Sequence, residues 1–266
     1  MKARAVFSVD VEPDLHTNKH KGIEEGIPLL LNILKKNRIK ATFFVTCDCI
    51  EKYPKLFTRL RRQGHEIALH GYTHERFDTL TFGEKEERIK KSISCFKKYL
   101  KINPRGFRAP QHSIDRDMIQ ILNKYGFDYD SSKTPGNLML LRHLLRKKTN
   151  KQEILRNFFS HLKPYVLKNK LIEIPRTSFL ISSGAFEIKL YPKIHYKYMA
   201  LICKTLNIPL IFVMHSWDMI NILESRTSRL CPSKNFIKKL DDFLKYSIKK
   251  LNYIKMEDLY EKAKNS

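Results

Sequence analysis

The chain has 266 residues, 42% of them hydrophobic and 29% charged, with 9 glycines and 11 prolines. That composition excludes collagen, low-complexity and fully disordered chains, and it holds enough apolar material for a sizeable core. The 51 basic residues outnumber the 27 acidic ones, leaving a net charge of +24. Such an excess repels itself and suits an anionic partner: nucleic acid, a membrane surface or a phosphorylated substrate. The 5 cysteines, Cys47, Cys49, Cys95, Cys203 and Cys231, are odd in number and lack a repeating spacing. They read as reduced, partly buried thiols rather than a disulfide framework or a zinc clip. The apolar stretch after Lys2 and Arg4 breaks at Asp10, too short for a signal-peptide core, and the longest apolar run, Ile208 to Met214, falls far below a membrane span. A soluble, cytoplasmic chain is expected.

Strand and helix signals alternate along the chain. Ala5–Val9 is a short strand-type run ending in carboxylates, and Ile23–Leu34 has apolar residues at helical spacing before basic Lys35, Lys36 and Arg38. Ala41–Val45 reads as a strand, Tyr53–Arg62 as a helix stopped by Gly64, and His65–Leu69 as a strand. Phe82–Leu100 is a charged helix with Ile89, Ile93, Phe96 and Leu100 on one face. Arg105–Arg108 is a short strand, and Met118–Tyr125 a helix closed by Gly126. Leu171–Ile174 and Pro209–Met214 are further strands, and Phe236, Leu240, Phe243 and Ser247 mark one face of a late helix. Repeated strand–helix units predict a mostly parallel sheet, and this many in one chain favour a barrel or partial barrel over an open sheet. No internal repeat is present.

One segment breaks the rhythm. Lys133–Lys170 holds ten basic residues against a single acid, Glu153, with leucines and aromatics interleaved: Leu138, Leu140, Leu141, Leu144, Leu145, then Ile154, Leu155, Phe158, Phe159 and Leu162. One or two basic amphipathic helices are expected here, inserted before the next strand. They would either pack on the barrel or meet an anionic lipid or phosphorylated substrate.

Reactive residues of α/β barrels gather at the carboxyl ends of the strands. Asp10, Glu12 and Asp14 follow the first strand, and His70 and His74 the third. Arg108, Pro110 and His112 follow the fourth, and His215, Trp217 and Asp218 the late strand. Two neutral imidazoles and one carboxylate make a facial set with open positions, suited to a catalytic metal and water. An isolated His-x-x-x-His is more often not a ligand pair. The carboxylates at another strand end raise its standing.

The motifs Phe7-Ser8-Val9-Asp10-Val11-Glu12, His70-Gly-Tyr-Thr-His74, Phe107-Arg108-Ala109-Pro110 and Phe212-Val213-Met214-His215, with Ala41–Val45 between them, stand in a fixed order. As an ordered set they resemble the polysaccharide deacetylase, or NodB-homology, family of metal-dependent carbohydrate esterases, over roughly residues 3–260. The resemblance implies a distorted (β/α)7-type barrel, here one domain over 1–266 with 133–170 as a basic insertion. It implies hydrolytic removal of an N-acyl group, usually acetyl, from an amino sugar. Asp10 matches the family's general base, His70 and His74 the metal-binding histidines, His215 the general acid and Arg108 the arginine that holds the base. The commonest family pattern has two adjacent aspartates, whereas the second carboxylate here is Glu12. A strand puts Asp10 and Glu12 on the same face, and glutamate's extra methylene offsets the added residue. Asp14 is the alternative ligand. Gln111 and His112 stand where many members carry a tyrosine whose backbone helps the oxyanion. Pro110, Gln111 and Trp217 are the expected substrate-binding residues, and Glu173-Ile174-Pro175-Arg176 is a further candidate for the cleft wall.

The cofactor expected is one divalent ion, zinc ahead of iron, cobalt or nickel. The expected substrate is an amino-sugar glycan or a lipid-linked saccharide intermediate of cell-envelope glycan biosynthesis, reached at the inner face of an anionic membrane. The competing readings are a non-catalytic carbohydrate- or membrane-binding protein on a degenerate deacetylase fold, and a nucleic-acid binder. The second lacks a nucleic-acid motif, and its basic residues are spread over most helices.

Overall fold

The computed structural model describes residues 2–14, 17, 19–138, 151–222 and 229–265. Its organising element is β1 (Ala3–Val11), buried at every position but Arg4. A strand covered on both faces and both edges needs this near-continuous apolar run. β1 pairs in parallel with β2 (Thr42–Val45), from Ser8↔Thr42 to Val11↔Val45. On its other edge it pairs with β10 (Leu210–His215), from Ala5↔Leu210 to Asp10↔His215. The ladder continues from β2 through β3 (Glu66–Leu69), β4 (Gly106–Phe107), β5 (Tyr129–Asp130) and β7 (Leu171–Glu173), all parallel. β6 (Tyr165–Lys168) runs antiparallel at the far edge, and β11 (Leu251–Tyr253) lies beside Ala3–Ala5 of β1.

Among the described residues no regular ladder joins β7 to β10. The chain after β7, with the small antiparallel pair β8 (Ser178–Phe179) and β9 (Ile181–Ser182), fills the space between them: the Val213 N–H donates to the Ser183 carbonyl at 3.3 Å. Thr177 Oγ1 donates to the Pro209 carbonyl at 2.8 Å and accepts from the Ile211 N–H at 2.7 Å. The sheet thus curls into a barrel with one irregular seam, which agrees with the expected distorted (β/α)7-type architecture. Helices pack outside it. The Phe7 and Phe212 rings stack at 5.0 Å, and Phe212 stacks in turn on Phe243 of the helix Ser233–Ser247 at 5.1 Å.

Part of the 133–170 segment differs from expectation. Lys151–Phe158 is a helix, but Tyr165–Lys168 is a strand in a hairpin with β7, turned at Asn169 with φ +49°. Alternating half-buried and exposed residues, with β-branched Val166 among them, suit an edge strand better than a helix. Residues 139–150, with Leu140, Leu141, Leu144 and Leu145, lie outside the described residues.

Candidate active site

The parallel register brings the expected residues to one end of the barrel. Asp10 and His215 are direct ladder partners, and Arg108 follows β4, whose Phe107 pairs with Leu69 just before His70. The His70–His74 loop turns at Gly71, φ +86°, where a Cβ would come within 3.2 Å of both the Pro110 ring and the Glu75 carboxylate. Glu75 folds the loop by accepting the Tyr72 and Thr73 N–H groups, the latter at 2.7 Å. His74 takes φ +61°, and its Nε2 reaches Glu12 Oε2. His70 Nε2 lies 3.2 Å from the same oxygen.

His70 Nδ1 is 2.8 Å from the Arg108 carbonyl. A carbonyl only accepts, so Nδ1 carries the proton and the Nε2 lone pair faces Glu12. Glu12 is 4% exposed, and its Oε2 has no hydrogen-bond partner among the described residues although two imidazole nitrogens crowd it. A buried carboxylate oxygen without a donor, facing two imidazole nitrogens, is what a divalent cation reconciles. The donor set therefore fits the expected metal. Asp14 is placed elsewhere: its oxygens accept the Lys21 and Gly22 N–H groups at 2.8 and 2.9 Å, capping the next helical turn.

Arg108 lies beside this cluster, wholly buried over the Phe44 ring at 4.0 Å. One guanidinium nitrogen donates to Asp10 Oδ1 at 2.7 Å and to Ser8 Oγ at 3.0 Å. Nε and the other terminal nitrogen reach Ser131 at 3.0 and 3.1 Å. Burial opposes the Asp10 charge, but Arg108, with His70 and His215, outweighs it and holds the carboxyl well below the usual range.

His215 faces the cluster from β10, its Nε2 4.0 Å from Glu12 Oε1, with 40% of its side chain exposed. Asp218 Oδ2 accepts the His215 N–H at 2.8 Å and lies 3.6 Å from its Nδ1, while the other oxygen pairs with buried Lys189 at 2.7 Å. Burial works against a charged His215. The bond to Asp218 and the Glu12, Asp218 and Asp10 charges prevail and raise it to about 9. Trp217 is 6% exposed and stacks on the His215 ring at 4.4 Å, so it steadies the imidazole from the protein side. Pro110 is buried, and Gln111 is exposed with φ +52°.

Sequence reasoning noted Asp218 without giving it a role, and it passed over Glu75, Lys189 and Ser131. The signal for Asp218 was there: a carboxylate three residues after a strand-end residue closes a turn back onto that residue's N–H. The other three depend on pairings between distant segments.

Fold and site together define a curled parallel α/β barrel with a two-histidine, one-carboxylate centre at the carboxyl ends of its strands. Residues 8–129 match the family model described as polysaccharide deacetylase. It is 34% identical over 109 residues to a peptidoglycan deacetylase of Helicobacter pylori, covering 41% of this chain and 37% of that protein. To a peptidoglycan-N-acetylglucosamine deacetylase of Bacillus cereus it is 27% identical over 126 residues, covering 47% of this chain and 42% of the relative. The matches thus span well under two thirds of these relatives. The fold superposes on a crystal structure described as a putative polysaccharide deacetylase from Mycobacterium smegmatis with a TM-score of 0.71, at 19% identity, over 99% of this chain and 91% of that one.

Proposed function

We propose that the protein is a metal-dependent hydrolase that removes the N-acetyl group from an amino sugar. The observation that carries this reading is the convergence on one carboxylate, Glu12, of His70 and His74, with Arg108-bound Asp10 and Asp218-bound His215 beside it. Glu12, His70 and His74 would hold one divalent ion, zinc first among the candidates. Such an ion, when bound, polarises an acyl carbonyl and acidifies water. Asp10, kept ionised by Arg108, accepts the proton of the attacking water. His215, kept protonated by Asp218, donates a proton to the nitrogen as the C–N bond breaks, so the products are acetate and a free amine. Gln111 borders the sugar and offers its own backbone N–H to the developing oxyanion, while buried Pro110 and Trp217 back the wall of the cleft.

The relatives named for peptidoglycan support an N-acetylglucosamine-type substrate. We place the chain, acting as one domain over 1–266, in the cytoplasm at an anionic membrane face, on a lipid-linked saccharide. The net charge of +24 and the exposed Leu138, Leu155 and Phe159 of the basic 133–170 segment support this. The test is acetate release from N-acetylglucosamine oligomers and from lipid-linked amino sugars by the metal-loaded protein. Release from neither, with the metal bound, would reduce the chain to a binding protein on this fold.

A further inference from the structure

A second pair of carboxylates stands behind the arginine, unused by the reaction above. Asp130 ends β5 and Glu173 ends β7, and they are ladder partners. Both are wholly buried. Glu173 Oε1 accepts the Lys133 N–H at 3.0 Å, whereas Oε2 has no partner among the described residues. Burial raises the proton affinity of both groups, and the Asp130 charge adds to it at Glu173. One shared proton reconciles two such groups side by side.

The pair is tied to the arginine segment through two serines. Ser132 donates its hydroxyl to Asp130 Oδ1 at 2.6 Å and its N–H to Oδ2 at 3.2 Å. Its hydroxyl oxygen accepts the Ala109 N–H at 2.8 Å, and its carbonyl accepts from His112 Nδ1 at 3.0 Å. Ser131 receives two further bonds from the Arg108 guanidinium. The segment that presents Arg108 to Asp10 is therefore held at several points by this dipeptide, in which Ser131 donates to the Phe107 and Ile174 carbonyls at 2.9 and 2.8 Å and Ser132 is anchored by Asp130.

We propose that Asp130, braced by Glu173, is a positioning residue: it fixes Ser132, which holds the Ala109 N–H beside Arg108, so that the Arg108 guanidinium meets Asp10 in register. The kinetic arm of this inference rests on the deacetylase reading. A displacement near 1 Å at a reacting group costs about 10²-fold in rate, and Asp130 touches neither substrate nor metal ligand.

The test compares Asp130→Ala, Asp130→Asn and Ser132→Ala with the wild type. The readouts are a short N-acetylglucosamine oligomer as substrate, bound metal, and the side-chain Nε–H signal of Arg108 by nitrogen-15 NMR. Asp130→Ala is expected to lower kcat about 10- to 100-fold, with KM and metal content unchanged and faster exchange of the Arg108 Nε–H. Asp130→Asn keeps an oxygen for the Ser132 hydroxyl and restores kcat to within about threefold of wild type. Ser132→Ala cuts the same link with little change in volume and follows Asp130→Ala, which decides the matter if the latter does not fold. Full kcat in both alanine variants, a loss confined to KM, or an asparagine variant as poor as the alanine one would overturn the proposal. If the wild type hydrolyses no amino sugar, the reaction assignment fails on its own, and Arg108 Nε–H exchange still decides the positioning role.

Discussion

Asp10 and Glu12 show how one added backbone residue is absorbed. Asp10 is the penultimate residue of β1 and Glu12 lies just past the strand's end, and they go to different partners: Asp10 to Arg108 and Glu12 to the two histidines. Removing the histidines and removing the base therefore have separable consequences. His70→Ala/His74→Ala protein is expected to bind no stoichiometric divalent ion, read by elemental analysis after dialysis. Asp10→Asn keeps its metal and loses roughly 10²-fold or more in turnover, the scale of general-base removal. Metal loss in Asp10→Asn would make Asp10 a ligand instead. Asp218→Asn leaves Lys189 without a counter-charge and His215 without its carboxylate. We expect a fall in kcat of about 10²-fold with metal content intact, measured by single-turnover acetate release. The six residues Asp10, Glu12, His70, His74, Arg108 and His215 could be picked out in the sequence because they fall at or shortly beyond strand ends, within motifs of fixed order. What the sequence hid was their second layer, since Ser131, Lys189 and Glu75 acquire meaning only through contacts made in the folded chain.

At the scale of elements, long apolar runs declared themselves and short ones did not. β1, β2, β3 and β10 were readable from their buried residues. β5 is two residues long, too short for any alternation to register. The helix Lys193–Thr205 escaped because Ile194, Tyr198 and Leu201 are exposed, which blurs its apolar period. Polar ties then hold what the apolar pattern cannot specify. Glu66 on β3 accepts from Thr42 of β2 at 2.8 Å, from the Tyr129 hydroxyl of β5 at 2.6 Å, and from the Glu257 N–H at 3.0 Å, which starts the last helix. Burial, with the Glu257 charge, lifts its carboxyl from 4.5 to about 7 despite these bonds. The folded protein thus keeps a proton there that the unfolded chain releases, so stability falls as pH rises from about 4.5 through 7. Glu66→Gln should remove that slope, a difference of up to about 3 kcal/mol between the two ends of the window, read from urea midpoints of wild type and variant at pH 5 and 8. An unchanged slope would mean that Glu66 is ionised throughout. β4 carries a steric limit as well. A Cβ on Gly106 would sit 2.0 Å from Tyr129 Cζ, and Gly106→Ala is expected to cost about 1–3 kcal/mol in a thermal or denaturant melt.

For the molecule as a whole, the charge is the feature least explained by the fold. No helix among the described residues is long and apolar enough to cross a membrane. The basic 133–170 segment should then pellet with anionic vesicles and not with neutral ones. That binding should fade as salt rises and the screening length shrinks from about 10 Å at 0.1 M to about 3 Å at 1 M. Equal pelleting with both vesicle types, or with neither, would remove the membrane from the account. Deleting 139–150 should spare hydrolysis of a small soluble sugar while impairing action on a lipid-linked one.

The place of β1 also bears on how the molecule comes into being. It precedes the other described strands, yet Ala3–Ala5 and Ala5–Asp10 are zipped to Leu251–Tyr253 and Leu210–His215, far along the chain from it. Contacts of such long sequence separation form late and slow the search. The strand bearing Asp10 must therefore wait for β10 and β11 to emerge, with an aggregation-prone apolar segment unpaired on one edge meanwhile. Nascent chains halted before residue 210 would then expose β1 to chaperones, and the reactive centre would be complete only once β10 brings His215 beside Asp10.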